Sequence, residues 1–176
     1  IAIAPNFPGG MAPDHKVNGQ VISALLEWAV AHGGKVGSPL KGLVDGSRRG
    51  VMGHSAGGLA SVLAASADTK IKVVVGLDPV DMNNLGKAAA ALIKAPVTII
   101  RGEPGTCNSA GNAAGIVGGI KGPLLALQVV KGTHCDPEWP SGILCTLACG
   151  GTDVQRQARF RRYAMATLDH VLRCAP

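Results

Sequence analysis

Short apolar runs alternate with longer amphipathic stretches from one end of the chain to the other. Residues 1–5 form a continuous apolar run, the reading of a short strand, and stop at the turn cluster Asn6-Phe7-Pro8-Gly9-Gly10. Residues 17–31 place Val17, Ile22, Leu25, Leu26 and Ala29 at helical intervals and end at Gly33-Gly34, so a helix is predicted there. A brief strand over 49–53 leads into Gly53-His54-Ser55-Ala56-Gly57-Gly58, and a helix of small residues follows over 59–67. Valine dominates 71–77, the pattern of a strand buried on both faces, and that run delivers Asp78-Pro79. An alanine-rich helix over 87–94, a strand over 97–101, a glycine-bearing helix over 108–119 and a last strand over 124–130 come next. A loop carrying cysteines and prolines then separates that strand from a closing helix over 154–173.

Strands that alternate with helices connect through crossovers, which implies a mainly parallel sheet with helices on both faces. The fold class expected is therefore α/β, and with no linker or repeat, residues 1–176 read as a single catalytic domain. In such sheets chemistry gathers beyond the carboxyl ends of the strands. Ser55, Asp78, Glu103 and His134 each lie a few residues past the end of a predicted strand.

Composition changes this picture in three places. Phe, Trp and Tyr together make up 3% of the chain, too few for the stacking platforms that bind single-stranded nucleic acid. The net charge is +6, with Arg156, Arg159, Arg161 and Arg162 in the closing helix; at that spacing they read as a solvated face, and no nucleic-acid partner is expected. Cys107, Cys135, Cys145, Cys149 and Cys174 lack the paired spacing of a zinc site. Disulfides in a secreted or periplasmic protein fit them better, although the pairing is open and buried thiols remain the alternative. No apolar run reaches transmembrane length.

The strongest chemical signal is Gly-His-Ser-Ala-Gly between a strand and a helix. A serine hydroxyl is a poor nucleophile until it is exposed and paired with a base, and the strand–turn–helix corner exposes it. Ser55 is thus the candidate nucleophile, and Ala56 offers its backbone N–H to an oxyanion at the helix N-terminus. His134, last in the chain order and just past the last strand, is the candidate base. His54 adjoins the serine but points away from its hydroxyl, His15 and His32 precede the turn, and His170 belongs to the closing helix. The carboxylate that orients the imidazole is Asp78 or Glu103; Asp81 and Asp136 are weaker, and Asp136 reads as a loop cap. Trp139 could line the substrate pocket or simply pack. Trp28 is expected to pack its helix against the sheet, Met52 to lie in the core, and Asp14-His15 to serve at the surface or touch substrate.

From VMGHSAGG through VVVGLDPVD to KGTHCDPEWP the chain resembles plant-type chlorophyllases and their bacterial relatives among the α/β-hydrolases. More distantly it is similar to cutinase-like and dienelactone-hydrolase-like esterases. The resemblance implies a serine esterase with no metal or organic cofactor, acting on a small-molecule or polymeric ester. In chlorophyllases the acid is the aspartate of the Asp-Pro pair, which favours Asp78. In cutinase-like enzymes it lies later, where only Glu103 could serve. Family members also carry several strands before the segment matching residues 1–10, and a loop there supplies a second oxyanion donor. The chain is therefore expected to be a fragment, unless the turn at Asn6–Gly10 has taken over. Rival readings are a peptidase or lactone hydrolase of the same fold, and an inactive hydrolase-like binding domain. The particular ester and the oligomeric state are not legible.

Overall fold

The computed structural model describes residues 1–8 and 13–173. Four strands form one parallel sheet in the order β1 (Arg49–His54), β2 (Ile71–Leu77), β3 (Val97–Arg101), β4 (Leu124–Gln128). Each strand lies beside its predecessor in the chain. The crossovers between them are α2 (Ala56–Ala67), α3 (Leu85–Ala90) and α4 (Ala113–Gly119), and α3 follows a single 3₁₀ turn at Met82–Asn84. The first helix is α1 (His15–Gly34), and α5 (Ile143–Cys149) and α6 (Val154–Arg173) follow the sheet.

The strand pattern explains the layers. Successive side chains of β2 point to opposite faces, and Val73, Val74 and Val75 are all fully buried because both faces are covered. Val74, Val97 and Ile99 join Val62, Ile93 and Ile116 in a core beneath α2, α3 and α4, with Ile22 and Leu26 of α1 packed on it. Val73, Val75, Leu77 and Ile100 meet Phe160 and Ala164 of α6 on the other face. α1 approaches α2 closely: a Cβ on Gly19 would sit 3.1 Å from the Leu63 Cβ.

Several expectations shift. Residues 1–5 do not join the sheet; an apolar run becomes a strand only beside a partner whose backbone groups it can satisfy, and β1 does not pair with it. Met52 lies on that same edge strand and is half exposed rather than core. Trp28 stacks on His32, ring centroids 4.2 Å apart, on the outer side of α1, because the buried face belongs to Ala29 and its helical neighbours. The third helix begins and ends earlier than 87–94, with Asp81 accepting from the Gly86 and Lys87 amides at 2.6 and 2.9 Å. The fourth starts at Ala113 rather than 108, because Ser109, Ala110 and Gly111 all adopt positive φ. α5 stands in a segment read as loop. Among the described residues no helix is long and apolar enough to cross a membrane.

Candidate active site

The carboxyl ends of the strands are level: His54 pairs with Leu77, Leu77 with Ile100 and Arg101 with Gln128. The residues just past each strand therefore arrive at one edge of the sheet. Ser55 turns the corner between β1 and α2 with φ 54° and ψ −122°, a conformation that only a tightly constrained non-glycine residue holds. Two positions flanking the corner, 53 and 58, must be glycine. A Cβ on Gly53 would lie 2.2 Å from the Gly57 carbonyl oxygen, and one on Gly58 would lie 2.8 Å from the Pro79 Cβ. The strand and helix can cross this closely only without those side chains. Ala56 opens α2, so its N–H is one of the donors that a helix leaves without an internal partner.

Asp78 follows β2 directly, is 1% exposed, and also has positive φ, 42°. Its carboxylate is held from three sides. Gly102 N–H donates to Oδ1 at 3.0 Å, the Asn108 amide donates to Oδ2 at 3.1 Å, and His134 Nδ1 lies 2.7 Å from Oδ2. The other ring nitrogen, His134 Nε2, lies 2.9 Å from Ser55 Oγ. A carboxylate only accepts, so Nδ1 carries the ring proton in the neutral imidazole and Nε2 faces the hydroxyl with its lone pair.

The family model described as "PETase: PET hydrolase-like" matches residues 11–114, which include the serine corner, Asp78 and Asn108. The chain belongs to this PET hydrolase-like family. It is accordingly an esterase of the α/β-hydrolase superfamily, with the carboxylic ester bond as its target. A comparison with curated proteins finds no match.

Within the family, the cutinase-like resemblance placed the acid near Glu103, and here Glu103 does something else. Its Oε1 accepts from the Lys131 amide at 2.6 Å, closing the turn at the end of β4, where Lys131 has φ 58°. The structure thus brings Ser55, His134 and Asp78 together and leaves Glu103 out of the hydrogen-bonded chain. Asn108 was not foreseen; it lies in a segment whose pattern reads as helix, and no spacing signal marks a neutral amide that supports a carboxylate.

His54 also contributes. Its Nε2 lies 2.7 Å from the His134 carbonyl oxygen, so this nitrogen donates, and its Nδ1 faces Glu138 Oε1 at 3.6 Å. Burial, and then the neighbouring His134 ring 4.6 Å away, hold His54 below the usual histidine range. It is therefore uncharged near neutral pH, which keeps a second cation away from the imidazole.

The loop bearing His134 is tied down elsewhere. Asp136 caps it as expected, its Oδ2 accepting from Thr133 N–H at 2.7 Å and its Oδ1 from Asp153 N–H at 3.0 Å. It also pairs with Arg156 at 2.7 Å, so that arginine leaves the solvated face to which Arg159, Arg161 and Arg162 belong. Disulfides join Cys135 to Cys145 and Cys107 to Cys149. The Sγ atoms of Cys135, Cys145 and Cys149 lie within 4.8 Å of one another, but all three are in disulfides, so no thiolate is available to hold a metal. Cys174 and the glycines at 9 and 10 lie outside the described residues. Trp139 is 72% exposed and Asp14 caps α1, accepting from the Lys16 and Val17 amides.

Proposed function

We propose that the chain hydrolyses carboxylic esters by two-step acyl transfer, with Ser55 as nucleophile, His134 as general base and Asp78 as the orienting acid. The observation that carries this reading is the continuous chain Ser55 Oγ–His134 Nε2 at 2.9 Å and His134 Nδ1–Asp78 Oδ2 at 2.7 Å. As the serine oxygen bonds to the ester carbonyl carbon, its proton passes to Nε2, and the imidazolium is stabilised by the Asp78 carboxylate. The Ala56 N–H, at a helix N-terminus, receives the developing oxyanion. Collapse of the tetrahedral species breaks the bond to the alcohol, which leaves with the proton from Nε2. Water then repeats the sequence on the acyl-enzyme: His134 takes a water proton, hydroxide adds to the acyl carbon, and Ser55 departs with the proton. The products are one acid and one alcohol, and no metal or organic cofactor enters the balance.

The two disulfides fit an oxidising, secreted or periplasmic setting. The description of the family names PET, a polymeric ester, and polymeric esters are the substrates we favour. The four strands with their helices act as one catalytic unit. Hydrolysis of p-nitrophenyl acetate and a longer acyl homologue should proceed with the native chain and fall ~10⁴-fold or more with Ser55→Ala. A serine-directed phosphonate should label the native chain only. Undiminished turnover in Ser55→Ala would end this account, and so would failure of the phosphonate to react with the folded protein.

A further inference from the structure

A helix in a folded protein is normally held by burying its apolar face. α5 does the reverse. None of its residues is buried, yet Ile143 is 75%, Leu144 79% and Leu147 79% exposed. It is held instead by covalent bonds and by the chain on either side. Cys145 is bonded to Cys135, the residue after His134, and Cys149 is bonded to Cys107, the residue before Asn108. At its end Gly150 packs on Thr133, where a Cβ would come within 3.1 Å of the Thr133 Cγ2. The helix is thereby pinned to both loops that shape the site, the one carrying the imidazole and the one whose amide supports Asp78.

The same segment carries no charge. Residues 139–152 contain no Asp, Glu, Lys, Arg or His, although the chain as a whole has a net charge of +6. Nothing in it is suited to an anionic membrane or a nucleic acid, which are gripped through cations. A row of large apolar side chains standing out from a clasped helix, continuous with the loop of the reacting imidazole, fits an extended apolar phase that presents ester bonds at its surface.

We propose that α5 is a docking face for solid polyester. Ile143, Leu144 and Leu147, with the exposed Trp139 four residues before Ile143 in the chain, lie against the polymer and bring the His134 edge of the sheet to it. The inference rests on the esterase reading above. The two disulfides keep the face presented without a core beneath it.

The test uses Ile143→Ser, Leu144→Ser and Leu147→Ser combined, three exposed changes that leave the core and both disulfides untouched. Adsorption to an amorphous poly(ethylene terephthalate) film, read by depletion from solution, should weaken at least ~10-fold, because three apolar side chains no longer leave water on contact. Film hydrolysis should fall in parallel, while p-nitrophenyl acetate turnover stays within about twofold. Adsorption is measured with Ser55→Ala as well, which must bind the film as the native chain does. This separates the two readings, since an inert native chain with intact, α5-dependent adsorption sinks the esterase reading alone. Unchanged adsorption in the triple variant overturns the docking face. So does a native dimer, seen by light scattering, that the triple variant turns into a monomer, for then a second copy covers the helix.

Discussion

Ser55 and His134 sit 2.9 Å apart, yet the chain reaches those two places by different means. The serine corner is made within six residues, by a strand end, a positive φ and two glycines whose absent side chains let β1 and α2 cross. Beneath it lie the buried valines of β2 and the fully buried Leu59, Ala60 and Val62 of α2. The imidazole stands on a loop that borrows its rigidity from farther along the chain: Cys145, Asp153 and Arg156 all reach back to Cys135 or Asp136 beside it. A close-packed core fixes position through many contacts that are each small and collectively large. A loop fixed by a few specific bonds has no such redundancy, so single changes there should be felt at the site first.

The largest effect that tests this division concerns the acid. Asp78→Asn preserves the shape of the side chain but offers His134 Nδ1 an amide whose donor can force the wrong tautomer, and kcat should fall about 10⁴-fold. Glu103→Gln, which alters only the turn before the loop, should leave kcat within a few-fold. Steady-state kinetics on a soluble ester decide between them. The opposite ranking would return the acid to the loop after β3 and join the two halves of the site on one element.

Next in size is the clasp. Cys107 and Cys149 close 42 residues of chain, and replacing both by serine should cost about 4 kcal/mol in the loop-closure account of disulfide stability. The division predicts where that loss appears. Lower global stability reduces the protection of the slowest amides in β1, β2 and α2 as well, but residues 131–153 should show an additional rise in hydrogen exchange through local opening. An equal loss everywhere, with no excess over 131–153, would mean that the clasp does not hold the imidazole side separately.

That division also marks what was legible in the sequence. β2, β3 and α6 fell where periodicity placed them, because a valine run and a 3.6-residue repeat report burial locally. The corner at Ser55 was legible because strand, glycines and helix are consecutive. Asp78, one residue past β2, was legible as a candidate for the same reason, and the chlorophyllase resemblance favoured it; the turn of Glu103 to the Lys131 amide has no signal in the spacing. Asn108, the disulfide pairing and the Asp136–Arg156 bond join positions far apart in the chain and leave no periodic trace. α5 escaped notice because its apolar residues face solvent, so they mimic neither a core helix nor a polar loop.

The smallest effect comes from comparing the charged pairs that serve the two sides. On the imidazole side Asp136, whose side chain is fully buried, holds Arg156 and two loop amides; Asp136→Asn should destabilise by on the order of 3 kcal/mol and lower kcat as the loop loosens. On the serine side Glu27 of α1 meets Arg49 at the start of β1 and Lys70 in the turn just before β2, 2.6 and 2.7 Å away. The Arg49 hydrogen bond, and then that from Lys70, hold the Glu27 carboxyl at about 2 against its ordinary 4.5. Because the folded value is the lower one, the pair stabilises above pH 4.5 and loses that contribution as pH falls toward 2. Glu27 is solvent-exposed, where ion pairs are screened and contribute little. Glu27→Gln should therefore lower Tm slightly at neutral pH, converge with the native chain near pH 2, and leave kcat unchanged. A Tm loss as large as that of Asp136→Asn would show that the first strand is held by its charges rather than by the valines behind it.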